Sequence, residues 1–287
     1  MDAVIGFIGI GVMGKSMVRN LQKHGYRVLI HTRTKEKAED LIREGTEWKV
    51  SPKEVASDAN IIITMVGYPH DVEHVYFGDD GIFNGASKGK VVVDMTTSTP
   101  TLAKKIAQEA QRRGIGALDA PVSGGDIGAK NGTLSIMAGG SKETFEQLKP
   151  ILEILGNNIV YQGEAGAGQH TKMCNQIAIA SNMIGVMEAL IYARKAGLDP
   201  EKMLQSISTG AAGSWSMSNL LPRVLKEDYS PGFFVKHFIK DMGIALEEAD
   251  KMDLKLPGLE LAKQMYEAIA KKGEEESGTQ ALIKYWQ

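Results

Sequence analysis

A single cysteine, Cys174, occurs in 287 residues, so no intramolecular disulfide can form and a reducing compartment is the natural setting. Charge of either sign is nearly cancelled, 33 Lys and Arg standing against 35 Asp and Glu for a formal net charge of -2. With the two signs interspersed, there is no basic stripe for nucleic acid and no polybasic patch for a membrane, which leaves small molecules as the expected partners. No uninterrupted apolar stretch reaches about 18 residues, the length of a membrane span. Internal repeats and low-complexity segments are missing as well. The opening MDAVIGFIGIGVMGK is apolar but carries no basic leader and is studded with glycine, unlike a signal peptide; a cytoplasmic protein is expected. The length suits two domains with a substantial core.

What is present begins with a short apolar run, Val4 to Ile8, followed by Gly9-Ile10-Gly11-Val12-Met13-Gly14 and a helix-compatible stretch from Lys15 to His24. Strand, glycine turn and helix in this order fit a dinucleotide: the glycines allow a tight turn, close approach of the pyrophosphate and helix packing, and the helix N-terminus faces the phosphates. The next β-rich run, Tyr26 to His31, ends in Thr32-Arg33-Thr34. An Asp or Glu commonly holds the ribose hydroxyls of NAD about twenty residues past the glycines, and no acid is present here. An arginine flanked by two hydroxyls suits a 2′-phosphate, so NADP is favoured and NAD remains possible.

Asn60 to Val66 and Lys90 to Met95 read as further strands, separated by helical segments around Asp71 to Tyr76 and Thr99 to Arg113. Such alternation means a mostly parallel sheet whose ligand lies beyond the carboxyl ends of the strands, where Val66 and Thr96 stand. Ser98 or Thr99 before Pro100 also reads as a helix cap. His70-Asp71-Val72-Glu73-His74 matches a zinc-protease pattern, but it follows a strand end and Pro69 with no downstream acidic ligand; two solvated histidines and no metal are expected. In Asp119-Ala120-Pro121-Val122-Ser123-Gly124-Gly125, a hydroxyl and successive glycine N–H groups can converge on a carboxylate.

Gly166 to Gly197 reads as one long helix, roughly 40 Å from Gly168 to Lys195 at ~1.5 Å per residue. Between Lys172 and Glu188 it carries no charge, so it is expected to be covered on nearly every face, with Cys174 as a small core residue. Ala178, Ser181, Gly185 and Ala189 form a small-residue stripe where another backbone can approach. In its first turns Lys172 shares a face with Asn175 and Gln176, at offsets of three and four. Helical patterns then run through Ser216 to Leu225, Val235 to Met252, Leu259 to Lys271 and Thr279 to Tyr285, with Lys271 to Glu276 as a solvated loop. Trp215 and Phe233-Phe234 are expected in the core, or closing over an apolar substrate tail. The expected fold is thus α/β over residues 1–163, a dinucleotide-binding Rossmann-type sheet domain, joined by the long helix to an all-helical substrate and oligomerisation domain over 164–287.

These residues resemble the β-hydroxyacid dehydrogenases, a family that includes 3-hydroxyisobutyrate dehydrogenase, tartronate semialdehyde reductase and glyoxylate/succinic semialdehyde reductase. The likeness covers nearly the whole chain. Gly6 to Gly14 is similar to the family's cofactor fingerprint, Asp119 to Ala129 to its substrate motif, Gly166 to Lys172 to its catalytic motif, and Lys240-Asp241-Met242 to its late cofactor-closing lysine. The resemblance implies that Met65, Thr96 and Lys240 touch the cofactor, Ser123 and Gly124 the substrate carboxylate, and Lys172 the reacting oxygen. One departure is Gln176, where many members carry Asn; tartronate semialdehyde reductases look similar to this chain in having Asn-Gln there.

The activity expected is reversible hydride transfer between NADP(H) and a small 3-hydroxy acid or its semialdehyde. Lys172 would donate a proton to the aldehyde oxygen in reduction. In oxidation it must accept one, which requires its pKa to fall from ~10.4 through burial and cationic neighbours. The alternatives are a non-catalytic cofactor-binding sensor or scaffold, against which Lys172 argues, and an imine-reductase-like enzyme, which by resemblance lacks this lysine. A homodimer or homotetramer is expected, associating through the helical half.

Overall fold

The computed structural model describes residues 3–287. The chain divides into two compact units, residues 1–172 and 173–287.

In the first unit the described residues form a nine-stranded sheet. β1 (Ile5–Ile8) leads through the glycine turn into α1 (Val12–Lys23), then β2 (Val28–His31), α2 (Glu39–Arg43), β3 (Glu47–Trp48), α3 (Pro52–Asp58), β4 (Ile61–Thr64), α4 (Pro69–Phe77), β5 (Val91–Asp94), α5 (Pro100–Arg112) and β6 (Gly116–Asp119). β7 (Val122–Ser123), α6 (Gly125–Asn131), β8 (Leu134–Gly140), α7 (Lys142–Leu155) and β9 (Gly156–Gly163) complete it. The strand order is β3-β2-β1-β4-β5-β6-β8-β7, with β9 on β8. Pairing is parallel as far as β6; β8 runs antiparallel to β6 and β7, so the sheet is mostly parallel. Strands β1, β4 and β5 are buried at every position, as strands covered by helices on both faces are.

The carboxyl ends of the parallel strands are in register. Ile8 pairs with His31 and Thr64, Thr64 with Asp94, and Asp94 with Asp119. Within β1, β2, β4, β5 and β6 this single row carries all the polar side chains. Thr99 is the N-cap of α5 and accepts the Leu102 N–H at 3.2 Å, with Pro100 at the first helical position.

The second unit is helical. α8 (Ala167–Lys195) starts in the first unit and continues here, followed by α9 (Pro200–Ile207), α10 (Trp215–Asn219), α11 (Leu221–Leu225), α12 (Val235–Lys251) and α13 (Pro257–Ile269), and by a 3₁₀ segment, Thr279–Trp286. Its core is made by Met183, Met187 and Leu190 of α8 with Leu221, Phe238, Met242, Tyr266 and Leu282.

Three expectations change. At 29 residues α8 is long and apolar enough to cross a membrane by length and composition, and its Met173, Met183, Met187 and Leu190 belong to the helical core. It is not covered all round, however: Cys174, Ala178, Ser181, Gly185, Glu188 and Tyr192, at spacings of three and four, form an exposed stripe, so Cys174 is no core residue. Trp215 is likewise exposed, at 58%, because it opens a short helix rather than sitting within one. Lys271 to Glu276 is exposed apart from Glu274, as expected, but is not all loop: a wide helical turn extends α13 as far as Gly273, which breaks it at φ +92°, and the Glu274 carboxylate pairs with Lys284 at 2.7 Å and accepts the Ser277 hydroxyl at 2.6 Å.

Candidate active site

The glycine turn is shaped by close approach. A Cβ on Gly9, at φ +104°, would stand 2.1 Å from the Met65 carbonyl oxygen, and one on Gly14 would stand 2.1 Å from that of Gly9. Around Gly11, by contrast, a Cβ would meet nothing within 4 Å. Gly11 is the N-cap of α1 with no side-chain cap, and no acid lies in the first turn, so the leading N–H groups are left for an anion. Ile10 is buried against the sheet while Val12 is 53% exposed and Met13 half-buried. This geometry fits the pyrophosphate of a dinucleotide.

Beyond β2, Thr32 is half-buried and Arg33 and Thr34 are exposed. The Arg33 guanidinium reaches Asp71, in the first turn of α4, at 3.2 Å. His70 and His74 on that helix are exposed, as expected of solvated histidines.

At the strand ends the polar row is tied together. The Thr64 hydroxyl donates to Asp94 Oδ1 at 2.8 Å, and the Thr96 N–H donates to the same oxygen at 3.1 Å. Thr96 Oγ1 in turn accepts the Val66 N–H at 3.0 Å, so the loop carrying Met65 and Val66 and the loop carrying Thr96 are one assembly. Burial pushes the Asp94 carboxyl up to about 6, and its hydrogen bonds to Thr96 and Thr64 oppose this only in part.

Asp119 is a neighbouring carboxylate, also raised to about 6 by burial, and it accepts the N–H of Gly166 at 2.7 Å and of Gln169 at 2.9 Å. These bonds hold the start of α8. They also account for the spacing of the two glycines there: a Cβ on Gly168 would stand 2.4 Å from the Met137 carbonyl oxygen, and Gly166 takes φ +92°. The fully buried Gln169 then donates through Nε2 to the Thr96 carbonyl at 2.7 Å and accepts the Ser98 N–H at 2.9 Å. Sequence reasoning did not single out Gln169; its position one turn before Lys172 was the available signal. Lys172 itself is only 6% exposed, unlike a surface cation.

Ser123 ends β7 half-buried, and Gly124 and Gly125 follow with φ +126° and +63°, so successive main-chain N–H groups are presented as side chains could not allow. Asp126 comes next, in the first turn of α6.

In the second unit, Gln176 is buried and donates to Asp241 Oδ2 at 2.7 Å while accepting from Asn175 Nδ2 at 2.6 Å. Asp241 Oδ1 lies 2.9 Å from the Lys240 ammonium. Asp241, which in the sequence stood only as the neighbour of Lys240, thus gathers Lys240, Gln176 and Asn175 together.

A glycine turn with an uncapped helix start, at the carboxyl edge of a parallel sheet and followed by a helical unit, defines an NAD(P)-dependent oxidoreductase. The profile of the NAD binding domain of 6-phosphogluconate dehydrogenase matches residues 4–163, and that of the NAD-binding domain of NADP-dependent 3-hydroxyisobutyrate dehydrogenase matches residues 166–286. An uncharacterised oxidoreductase of Bacillus subtilis is 61% identical, over 100% of this chain and 99% of its own length. The 2-hydroxy-3-oxopropionate reductase of Escherichia coli is 38% identical over 98% of this chain and 96% of its own length. Among solved structures, the Mycobacterium tuberculosis 3-hydroxyisobutyrate dehydrogenase with L-serine superposes with a TM-score of 0.91 at 28% identity, covering 100% of both chains. Psf3 in complex with NADP+ and 2-OPP gives 0.93 at 28% identity, covering 99% of this chain and 100% of that one. An imine reductase variant from Myxococcus stipitatus, at 19% identity and a TM-score of 0.67, shares the fold alone. The chain belongs to the β-hydroxyacid dehydrogenase family. It is an NAD(P)-dependent hydroxyacid dehydrogenase.

Proposed function

We propose that the chain interconverts a three- or four-carbon 3-hydroxy acid and its semialdehyde using NADP(H), with Lys172 exchanging the proton. The observation that carries this is a lysine held at 6% exposure one turn beyond a helix start fixed by Asp119. The nicotinamide supplies or takes up the hydride. In reduction the Lys172 ammonium donates to the aldehyde oxygen as charge develops on it; in oxidation the amine receives the hydroxyl proton. Ser123, Gly124 and Gly125 bind the carboxylate through a hydroxyl and main-chain N–H groups, which leaves the reacting carbon as the end presented to the lysine. Because the Gln176 amide is engaged at both ends, Asn175 is the amide that orients substrate. Gly9 to Gly14, Met65, Val66, Thr96 and Lys240 hold the cofactor, and Arg33 with Thr32 and Thr34 takes its 2′-phosphate.

The substrate reading draws support from the relatives: one is named for 2-hydroxy-3-oxopropionate, and another binds L-serine, itself a 3-hydroxy acid. The protein is cytoplasmic and self-associates through its helical half. The deciding experiment follows NADPH consumption with tartronate, methylmalonate and succinic semialdehydes, with glyoxylate and with uncharged aldehydes of equal length. Turnover of at least one aldehyde acid is expected, glyoxylate being poorer, and overlapping activity among neighbours follows from the ~1–3 kcal/mol that one methylene is worth. Equal efficiency with the uncharged aldehydes would remove the carboxylate cradle from the proposal.

A further inference from the structure

We propose that Asp71 competes with the cofactor's 2′-phosphate for Arg33, and thereby sets how strongly the chain prefers NADP to NAD. The inference rests on Arg33 receiving that phosphate.

The sheet order places β1 and its glycine turn between β2 and β4. Arg33 stands two residues past the end of β2 and Asp71 in the first turn of the helix after β4, and their side chains meet at 3.2 Å. The ion pair therefore joins the two loops that flank the glycine turn, at the edge where a dinucleotide lies in sheets of this order. Its halves are unequal: the Asp71 side chain is 13% exposed and that of Arg33 85%. The carboxylate is the fixed partner, at a helix N-terminus that favours negative charge, and the guanidinium is the mobile one. His70 Nε2 stands 3.8 Å from the same carboxylate oxygen and stacks on Tyr68 with 5.3 Å between ring centroids.

No acid ends β2, so Asp71 supplies the negative charge next to Arg33 from another element. A 2′-phosphate brings close to two negative charges to a site with one guanidinium. For NADPH to bind, Arg33 must be shared with Asp71 or given up by it, and the phosphate is placed near a carboxylate. NADH brings no such group and leaves the pair as it is. Asp71 thus penalises one cofactor alone.

The test is direct binding, by fluorescence titration of NADPH and NADH at low ionic strength, using wild type, Asp71→Asn, Asp71→Ala, Arg33→Ala and the double variant Asp71→Asn with Arg33→Ala. Exposed ion pairs are weak, so the expected gain is modest: NADPH should bind both Asp71 variants about two- to five-fold tighter, with the NADH Kd unchanged. The gain should shrink at high salt and vanish in the Arg33→Ala background. An NADPH Kd that is unchanged or raised in both Asp71 variants overturns the proposal, and so does a gain that persists without Arg33. If wild type binds neither nucleotide, the functional reading above fails and this inference fails with it; if both bind and the ratio of their Kd values ignores Asp71, the inference alone fails.

Discussion

Lys172 lies one turn past Gln169, and both are buried polar side chains of the opening turns of α8, at 6% and 0% exposure. A lysine used only to cover surface would keep its ammonium in water. For a proton donor, Lys172→Ala should lower kcat by on the order of 10²–10⁴-fold while the NADPH Kd stays near that of wild type. A variant that retains a tenth or more of wild-type kcat in a chemistry-limited assay takes the lysine out of the reaction. Residues of this kind were legible because chemistry and local spacing coincide: the lysine with two amides at helical offsets, and an arginine where an acid is customary. Asp71, Gln169 and Asp241 were not, because each matters through a partner 38, 73 or 65 positions away along the chain. Trp215 and Cys174 were misjudged for a different reason, since apolar character shows that a residue can be buried without showing that anything is there to bury it.

Among the elements, strands with three apolar residues in succession, β2, β4 and β5, were legible, while β3 and β6 were not. β3 has two residues, and β6 begins Gly116-Ala117, too little side chain for a hydrophobic pattern. Missing β6 concealed that Asp94 and Asp119 are register partners in neighbouring strands. Asp94 allows a test of this edge. Its carboxyl titrates at about 6 in the folded chain and near ~4 when unfolded, so between those values the folded state holds the extra proton. Its contribution to stability is therefore greatest below pH ~4 and is lost as pH rises to about 6, where the charge becomes buried. Asp94→Asn keeps an acceptor for Thr64 and Thr96 and cannot ionise. Urea unfolding should show the variant gaining on wild type from pH ~4.5 to ~6.5 and levelling above, by on the order of 1–3 kcal/mol. A stability difference that is flat with pH contradicts a buried, raised Asp94.

For the whole molecule, the α/β first half and helical second half were both legible from periodicity, while the antiparallel direction of β8 was not, because an apolar strand pattern reads the same either way. The exposed stripe of α8 bears on assembly. A Cβ on Gly185 meets no heavy atom within 4 Å inside the chain, so Gly185→Leu should leave the folded subunit intact and even favour its helix by about 1 kcal/mol. If copies associate along this stripe, the same change should lower the mass seen by light scattering at micromolar concentration, from dimer or tetramer toward monomer. A wild type that is already monomeric there, or a Gly185→Leu protein of unchanged mass, counts against it.

The bond from Gly166 to Asp119 also has a bearing on the order in which the chain takes shape. α8 is begun by a carboxylate from 47 residues earlier, not by a side chain beside it, and that carboxylate comes into position only when β6 has joined β5. The opening turn of the longest helix thus waits on the central sheet. During synthesis from the amino end the waiting is short, since the strands leave the ribosome before Gly166 does. Refolding of the complete chain from denaturant has no such schedule: the apolar middle of α8 can collapse before its start is secured, which exposes the full-length protein to aggregation that the growing chain avoids.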